Sequence, residues 1–181
     1  MDRITKTTII ETAEQLIKET GKSEVSVPQI ARKLGITHAA IYKYFDNKQE
    51  LWEAVAQKWF NENIFDSIVI DKSIDNRKKQ LHDWIWKFVN AKKDAYLQNQ
   101  QMFKLNTKYI DNDPYALRKV LMSSYDQINQ IMHYDREKIV KAETIMAAFS
   151  VFTLPNFSEF WQDTAYQSRF EAMWNLIESG L

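Results

Sequence analysis

Between Val27 and Leu51 the chain reads VPQIARKLGITHAAIYKYFDNKQEL. Just after its glycine come the hydrogen-bonding side chains Thr37, His38 and Lys43, with two bare methyls, Ala39 and Ala40, among them. A lysine ammonium donates to guanine O6 or N7, and an imidazole donates or accepts at a base edge. Alanine methyls pack against thymine methyls and let a backbone come close. The chemistry this set supports is the non-covalent reading of base edges, with contacts to at least one guanine and one thymine in each half-site.

Reading of that kind requires a helix entering the major groove, so the flanking elements must build and aim one. Ile9, Ile10, Ala13, Leu16 and Ile17 form one apolar stripe, which predicts a first helix over about Lys6–Thr20, closed by Gly21. Ser26 is a good N-cap for a second helix, and Pro28 suits its first turn. Val27, Ile30, Ala31 and Leu34 give that helix a buried face, and Gly35 ends it. Thr37 caps a third helix, expected to reach about Phe45, whose Ile41 and Phe45 point back to the core. Asp46 and Asn47 turn the chain into a fourth helix, about Lys48–Phe65, with Glu50 placed as a capping partner. Two short helices meeting at a glycine, the second polar at its start, are the layout of a helix-turn-helix. The helix N-terminus at Ser26 also favours a phosphate, through hydroxyl and free N–H groups. Arg3 and Lys6 are further phosphate candidates from a very short N-terminal arm.

The remainder reads as helices too. The 181 residues contain three glycines and three prolines, too few for a turn-rich sheet, while 45% are hydrophobic, enough for a core. The fold class is therefore all-α. The expected domains are a three-helix DNA-binding head over 1–47 and a larger helical bundle over 48–181. In the bundle, helices are expected over about 75–90, 92–110, 114–133, 137–152 and 163–179, with breaks at Asp111–Pro114, Tyr134–Asp135 and Thr153–Asn156.

Other function classes are disfavoured. Without cysteine there is no disulfide, thiol nucleophile or thiolate metal site. His38, His82 and His133 are the only histidines and are far apart in sequence. No H-E-x-x-H, P-loop, G-x-G-x-x-G or G-x-S-x-G occurs, so neither enzyme, metal nor cofactor is expected. No signal peptide or run of 18 apolar residues is seen, and the expectation is a soluble, cytoplasmic protein without a membrane partner. Net charge is zero, and residues 1–50 carry eight Lys/Arg against seven Asp/Glu, so DNA binding must rest on a local patch.

The ordered set of Gly21, Ser26 through Gly35, Thr37 through Phe45, and Tyr42-x-Tyr44-Phe45 followed by x-Asn47-Lys48 resembles the DNA-binding domain of the TetR family of bacterial transcriptional regulators. The resemblance covers about 45 positions; beyond the fourth helix only length and helical character match. It implies that Tyr42, Tyr44 and Lys48 hold phosphates around the groove, and that Lys48, opening the fourth helix, couples head to body. Pro28 departs from the polar or basic residue many relatives place there, so the second helix contributes less to base reading. The resemblance further implies a homodimer on a palindromic double-stranded DNA operator, most members being repressors. The body is expected to hold a small-molecule effector, and the last two helices the dimer interface. An activator, or a protein acting through a protein partner, is the alternative.

The body is rich in aromatics: five of six tryptophans follow Trp52. Candidate effector contacts are Trp86, Phe88 and Tyr96, then Met102, Phe103 and Tyr109, then Met122, Tyr125, Phe149 and Trp161. An apolar or aromatic effector suits such a lining. Trp84 and Trp86 lie about 200° apart around a helix, so if Trp84 joins the core Trp86 faces something else. Candidate interface residues are the small Ala142, Ala147 and Ala148, and the apolar face Phe170, Met173, Trp174 and Ile177.

Overall fold

The computed structural model describes residues 4–135 and 139–181. Among these the secondary structure is helical throughout, with no strand. No helix is long and apolar enough to cross a membrane. The expectation for Arg3 and the expected start of the helix at 137 fall outside the described residues.

The helices are α1 Lys6–Thr20, α2 Val27–Leu34, α3 His38–Ile41, α4 Lys48–Phe60, α5 Arg77–Gln98, α6 Gln100–Asn106, α7 Pro114–Met132, α8 Val140–Ala148 and α9 Tyr166–Ile177. Two compact units emerge: residues 1–61 with 99–117, and residues 62–98 with 118–181.

The first unit is built by local signals. Thr5 caps α1, accepting from Thr8 N–H at 3.1 Å. Gly21 ends it in the left-handed region, φ 65°, donating to Ile17 O. Gly35 does the same for α2 at φ 67°, and Ile36 N–H closes back on Ala31 O at 3.0 Å. A left-handed residue at each helix end satisfies carbonyls the helix leaves open, which is why glycine occupies both places. Ile9, Ala13, Ile17, Ile30, Ala31, Ile41 and Phe45 are buried together with Leu51 and Val55 of α4. Helix α4 also packs on α6 and on residues 107–111. Trp59 meets Phe103 edge to face at 6.4 Å, and Trp52 lies 6.4 Å from Tyr109. Residues Thr107–Asp111 form a π-helical turn, closed by Asn112 N–H donating to Thr107 O at 3.0 Å.

Three boundaries differ from expectation. Regular α3 stops at Ile41, not near Phe45. Its last turn tightens to i→i+3 bonds, Lys43 N–H to Ala40 O and Tyr44 N–H to Ile41 O. The tighter winding lets Ile41 and Phe45 both bury, at 0% and 2% exposure, while Tyr42 and Lys43 stay outside. The break expected near residue 91 lies instead at Asn99, whose side chain caps α6 by accepting from Met102 N–H at 3.1 Å. Val89 and Lys92 are buried, and tertiary packing carries α5 through the expected gap. Where a break was expected at Thr153–Asn156, residues Pro155–Gln162 wind into a 3₁₀ segment pinned by Trp161 Nε1–H donating to Val151 O at 3.0 Å.

In the second unit, Trp84 is buried, stacks on Phe88 at 5.5 Å and donates to Gln127 Oε1 of α7 at 2.5 Å. Trp86, on the other side of α5, packs on Phe170 and Tyr166 of α9 at 4.7 and 5.7 Å. His82 joins the same pairing of helices, its Nε2 2.9 Å from Glu171 Oε2. Helix α7 ends at His133, which takes the left-handed φ of 55°.

Candidate nucleic-acid interface

The third helix is anchored by what it buries. Thr37 caps it, accepting from Ala40 N–H at 3.2 Å, and Ile41 is fully buried. Fixed from below, the helix presents Thr37, His38, Ala39, Tyr42 and Lys43 to solvent, with Ala40 half-buried. His38 and Tyr42, one turn apart, meet edge to face at 5.1 Å, which holds both rings upright. Lys43 has no ion-pair partner among the described residues. A cation, an imidazole and two methyls therefore share one outward surface around a short helix, the arrangement base reading needs.

The flanking phosphate candidates are placed less simply. Ser26 is exposed at the start of α2, but its N–H and its hydroxyl both donate to Gln29 Oε1 at 2.8 Å. Tyr44 is half-buried and its hydroxyl donates to Ile4 O at 3.0 Å, so that proton is already used within the chain. Its oxygen keeps acceptor capacity only. Lys6 pairs with Glu50 at 3.1 Å and lies over the Phe45 ring at 5.1 Å. Asn47 caps α4 by accepting from Glu50 N–H at 2.9 Å, and Glu50 in turn accepts from Asp46 N–H. These contacts hold the turn that carries Lys48.

Lys48 is half-exposed and paired with Glu24. Glu24 also receives Lys108 at 2.5 Å and the Tyr109 hydroxyl at 3.0 Å. Burial opposes ionisation of Glu24, but hydrogen bonds from Lys108, Lys48 and Tyr109 outweigh it and hold its carboxyl below the ordinary 4.5. The Glu24 carboxylate raises Lys48 and, with Tyr109, Lys108, while burial first of all pushes the Tyr109 phenol up. Glu24 is thus ionised in the folded chain. With its folded pKa lowered, the stability this cluster contributes is present above pH 4.5 and is lost as pH falls through the lower folded value. A carboxyl-carbon NMR titration is expected to show Glu24 titrating below the ordinary glutamate value of 4.5; a midpoint above it would refute the cluster. Sequence reasoning did not single out Glu24, since nothing local marks a glutamate whose partners lie far along the chain.

The segment from α1 into α4, residues 9–55, matches the model of bacterial regulatory proteins of the tetR family. The head of the chain thus carries the DNA-binding domain of the tetR family. Members of the family are DNA-binding regulators, not enzymes. The biofilm operon icaADBC HTH-type negative transcriptional regulator IcaR of Staphylococcus epidermidis is 25% identical over 129 residues, or 71% of this chain. The match spans 65% of the length of that curated relative, just under two thirds. The fold is shared with BioQ, solved with its double-stranded DNA operator, at a TM-score of 0.63 and 18% identity over 98% of this chain and 99% of that one. It is shared also with a TetR-family transcriptional regulator from Streptomyces coelicolor, at a TM-score of 0.57 and 22% identity over 99% and 96% of the two chains.

The chain has a helical body after its head, and the expected effector contacts fall in two places. Met102, Phe103 and Tyr109 are buried in the first unit. Trp86, Phe88, Tyr96, Met122, Tyr125, Phe149 and Trp161 lie in the second, where Phe88, Tyr125, Phe149 and Trp161 are buried and Met122 is exposed. Tyr96 meets Trp161 edge to face at 5.6 Å. The second unit contains a cavity of about 300 Å³ lined by Val151, Phe152, Phe157, Phe160, Trp161, Tyr166 and Arg169. Of these, only Trp161 was expected; the close spacing of Phe157, Phe160 and Trp161 was the available signal. Arg169 pairs with Asp163 at 2.9 Å and lies over the Phe160 ring. The buried Tyr166 hydroxyl has no hydrogen-bond partner among the described residues, and burial, with Asp94 nearby, pushes its pKa far up.

The expected interface residues divide as well. Ala142, Phe170 and Trp174 are buried within the second unit. Ala147 is exposed, and Ala148, Met173 and Ile177 are half-buried. Val140 and Leu176 are large apolar residues left in the open, at 67% and 76% exposure. Ala148 and Ile177, with Val140, Ile145 and Leu181, line a groove of about 270 Å³.

Proposed function

We propose that this tetR-family regulator is a repressor that binds a palindromic operator as a homodimer and is released by a small apolar or aromatic effector. The observation that carries the DNA-binding part is the outward set Thr37, His38, Ala39, Tyr42 and Lys43, held by a buried Ile41 and Phe45 within the matched head. Thr37, His38, Ala39, Ala40 and Lys43 read base edges, and Tyr42 and Lys48 take phosphates, joined by Ser26 and Tyr44 once their hydroxyls leave Gln29 and Ile4. The name of IcaR, a negative regulator, supports repression over activation.

Exposed Val140 and Leu176, beside Ala147, Ala148, Met173 and Ile177, support self-association through α8 and α9. A twofold dimer presents two recognition helices and so selects a palindrome with half-sites about 34–36 Å apart. The cavity between Val151 and Arg169 is the place for the effector, its aromatic lining favouring an apolar or aromatic body. An effector that binds one head spacing better than the other shifts the population; one without that preference releases nothing.

The test is selection of bound duplexes from random DNA by the purified protein and by Tyr42→Ala and Lys48→Ala. Enrichment of a palindrome that both variants bind more weakly is the expected result. No enrichment at low salt would overturn the operator reading and favour action through a protein partner.

A further inference from the structure

Glu24 is the acceptor of three donors from two places in the first unit: Lys48 at the start of α4, and Lys108 and Tyr109 of the π turn. Lys48 and Lys108 are half-exposed or more, whereas Glu24 is only 19% exposed. Tyr109 is buried against Trp52 of α4, and the Lys108 ammonium lies 4.8 Å from the Tyr109 ring centroid. The two residues of the turn thus hold the carboxylate from one side, and Lys48 can leave without stranding an unpaired, part-buried charge.

Resting on the reading of Lys48 as a phosphate contact, we propose that Glu24 is an internal rival of DNA phosphate for Lys48, and that Lys108 and Tyr109 set how strongly it competes. In the free protein Lys48 sits on Glu24. On DNA it exchanges that carboxylate for a phosphate oxygen, another anion in the same charge-assisted geometry. The exchange places Glu24 near the phosphate backbone, where its charge is tolerable because Lys108 and Tyr109 still neutralise and hold it. Any change that moves the π turn away from Glu24 leaves the carboxylate to Lys48 alone and weakens DNA binding without touching the base-reading surface. Glu24 is therefore a positioning residue, acting on DNA through Lys48.

The exchange is sequence-independent, so a random-sequence duplex at low salt is a sufficient probe. Its affinity is measured for the full chain, Lys48→Ala, Glu24→Gln, and the two together. Lys48→Ala is expected to weaken binding. Glu24→Gln is expected to tighten it by about 2- to 5-fold, the range for a partly exposed ion pair, and to have no such effect when Lys48 is absent. Lys108→Gln is expected to weaken binding by about 2- to 5-fold in the natural chain and not in the Glu24→Gln background.

Tightening by Glu24→Gln that persists in Lys48→Ala would overturn the proposal, reducing Glu24 to a general negative charge; weakening by Glu24→Gln would also overturn it. Affinity unchanged in Lys48→Ala would instead remove the phosphate reading, whatever Glu24→Gln does. If Glu24→Gln loses its thermal unfolding transition, Tyr109→Phe, which deletes one oxygen, carries the comparison. It must weaken binding in the natural chain and leave Lys48→Ala unaffected; any other result overturns the proposal.

Discussion

Replacing Phe45 with alanine is expected to destabilise the protein by about 3–5 kcal/mol, the usual cost of emptying a buried phenylalanine site. Phe45 is 2% exposed and sits directly after the tightened turn that ends α3. Its loss removes the anchor that keeps Tyr42 and Lys43 facing outwards, and it leaves the Lys6 ammonium without the ring beneath it. Against a whole-domain stability of about 5–15 kcal/mol the change is large, and DNA binding should fall with it. Urea unfolding of the variant measures the first effect and duplex titration the second. Tyr42→Ala is the contrast: the residue is 38% exposed, so stability should move by about 0.5 kcal/mol or less while DNA affinity drops. A Phe45→Ala protein that unfolds at the same urea concentration as the natural chain would contradict the packing described for the head.

Lys43→Ala has the second large effect, on sequence reading. Lys43 is exposed on the recognition surface and has no ion-pair partner among the described residues. It therefore gives up little besides water when it meets a guanine. Truncation should cost about 1–3 kcal/mol of operator affinity, or roughly 5- to 150-fold, and should relax selectivity at one base position in each half-site. Lys48→Ala should behave differently, weakening all sequences alike and lowering the salt slope by about 1. Repeating duplex selection with each variant separates the two. Equal loss on every sequence with Lys43→Ala would make it another phosphate lysine.

The head was legible because each of its signals acts within a few residues. Thr37 and Asn47 cap as expected, and Gly21 and Gly35 take the left-handed conformation their positions suggest. The body was harder. Helices were expected to end at about 90 and resume at 92, but α5 runs through because Val89 and Lys92 are buried by neighbours that no local window contains. Helical spacing identified aromatic stripes, yet spacing does not separate a core ring such as Phe88 from a cavity wall such as Phe160.

The sequence by itself determined an all-helical chain, the helix-turn-helix and the residues that face outwards from it, because capping and 3.6-residue periodicity are local properties. Tertiary structure alone decided which of those residues are already engaged. Tyr44 donates to Ile4, 40 residues away, and Lys6 pairs with Glu50, 44 away. Glu24 gathers Lys108 and Tyr109 from 84 and 85 residues along the chain. The first two depend on how α1 packs with α4 and the Glu24 pairings on how α4 packs against α6 and the π turn, and a carboxylate carries no mark in sequence of the cations that folding will bring to it.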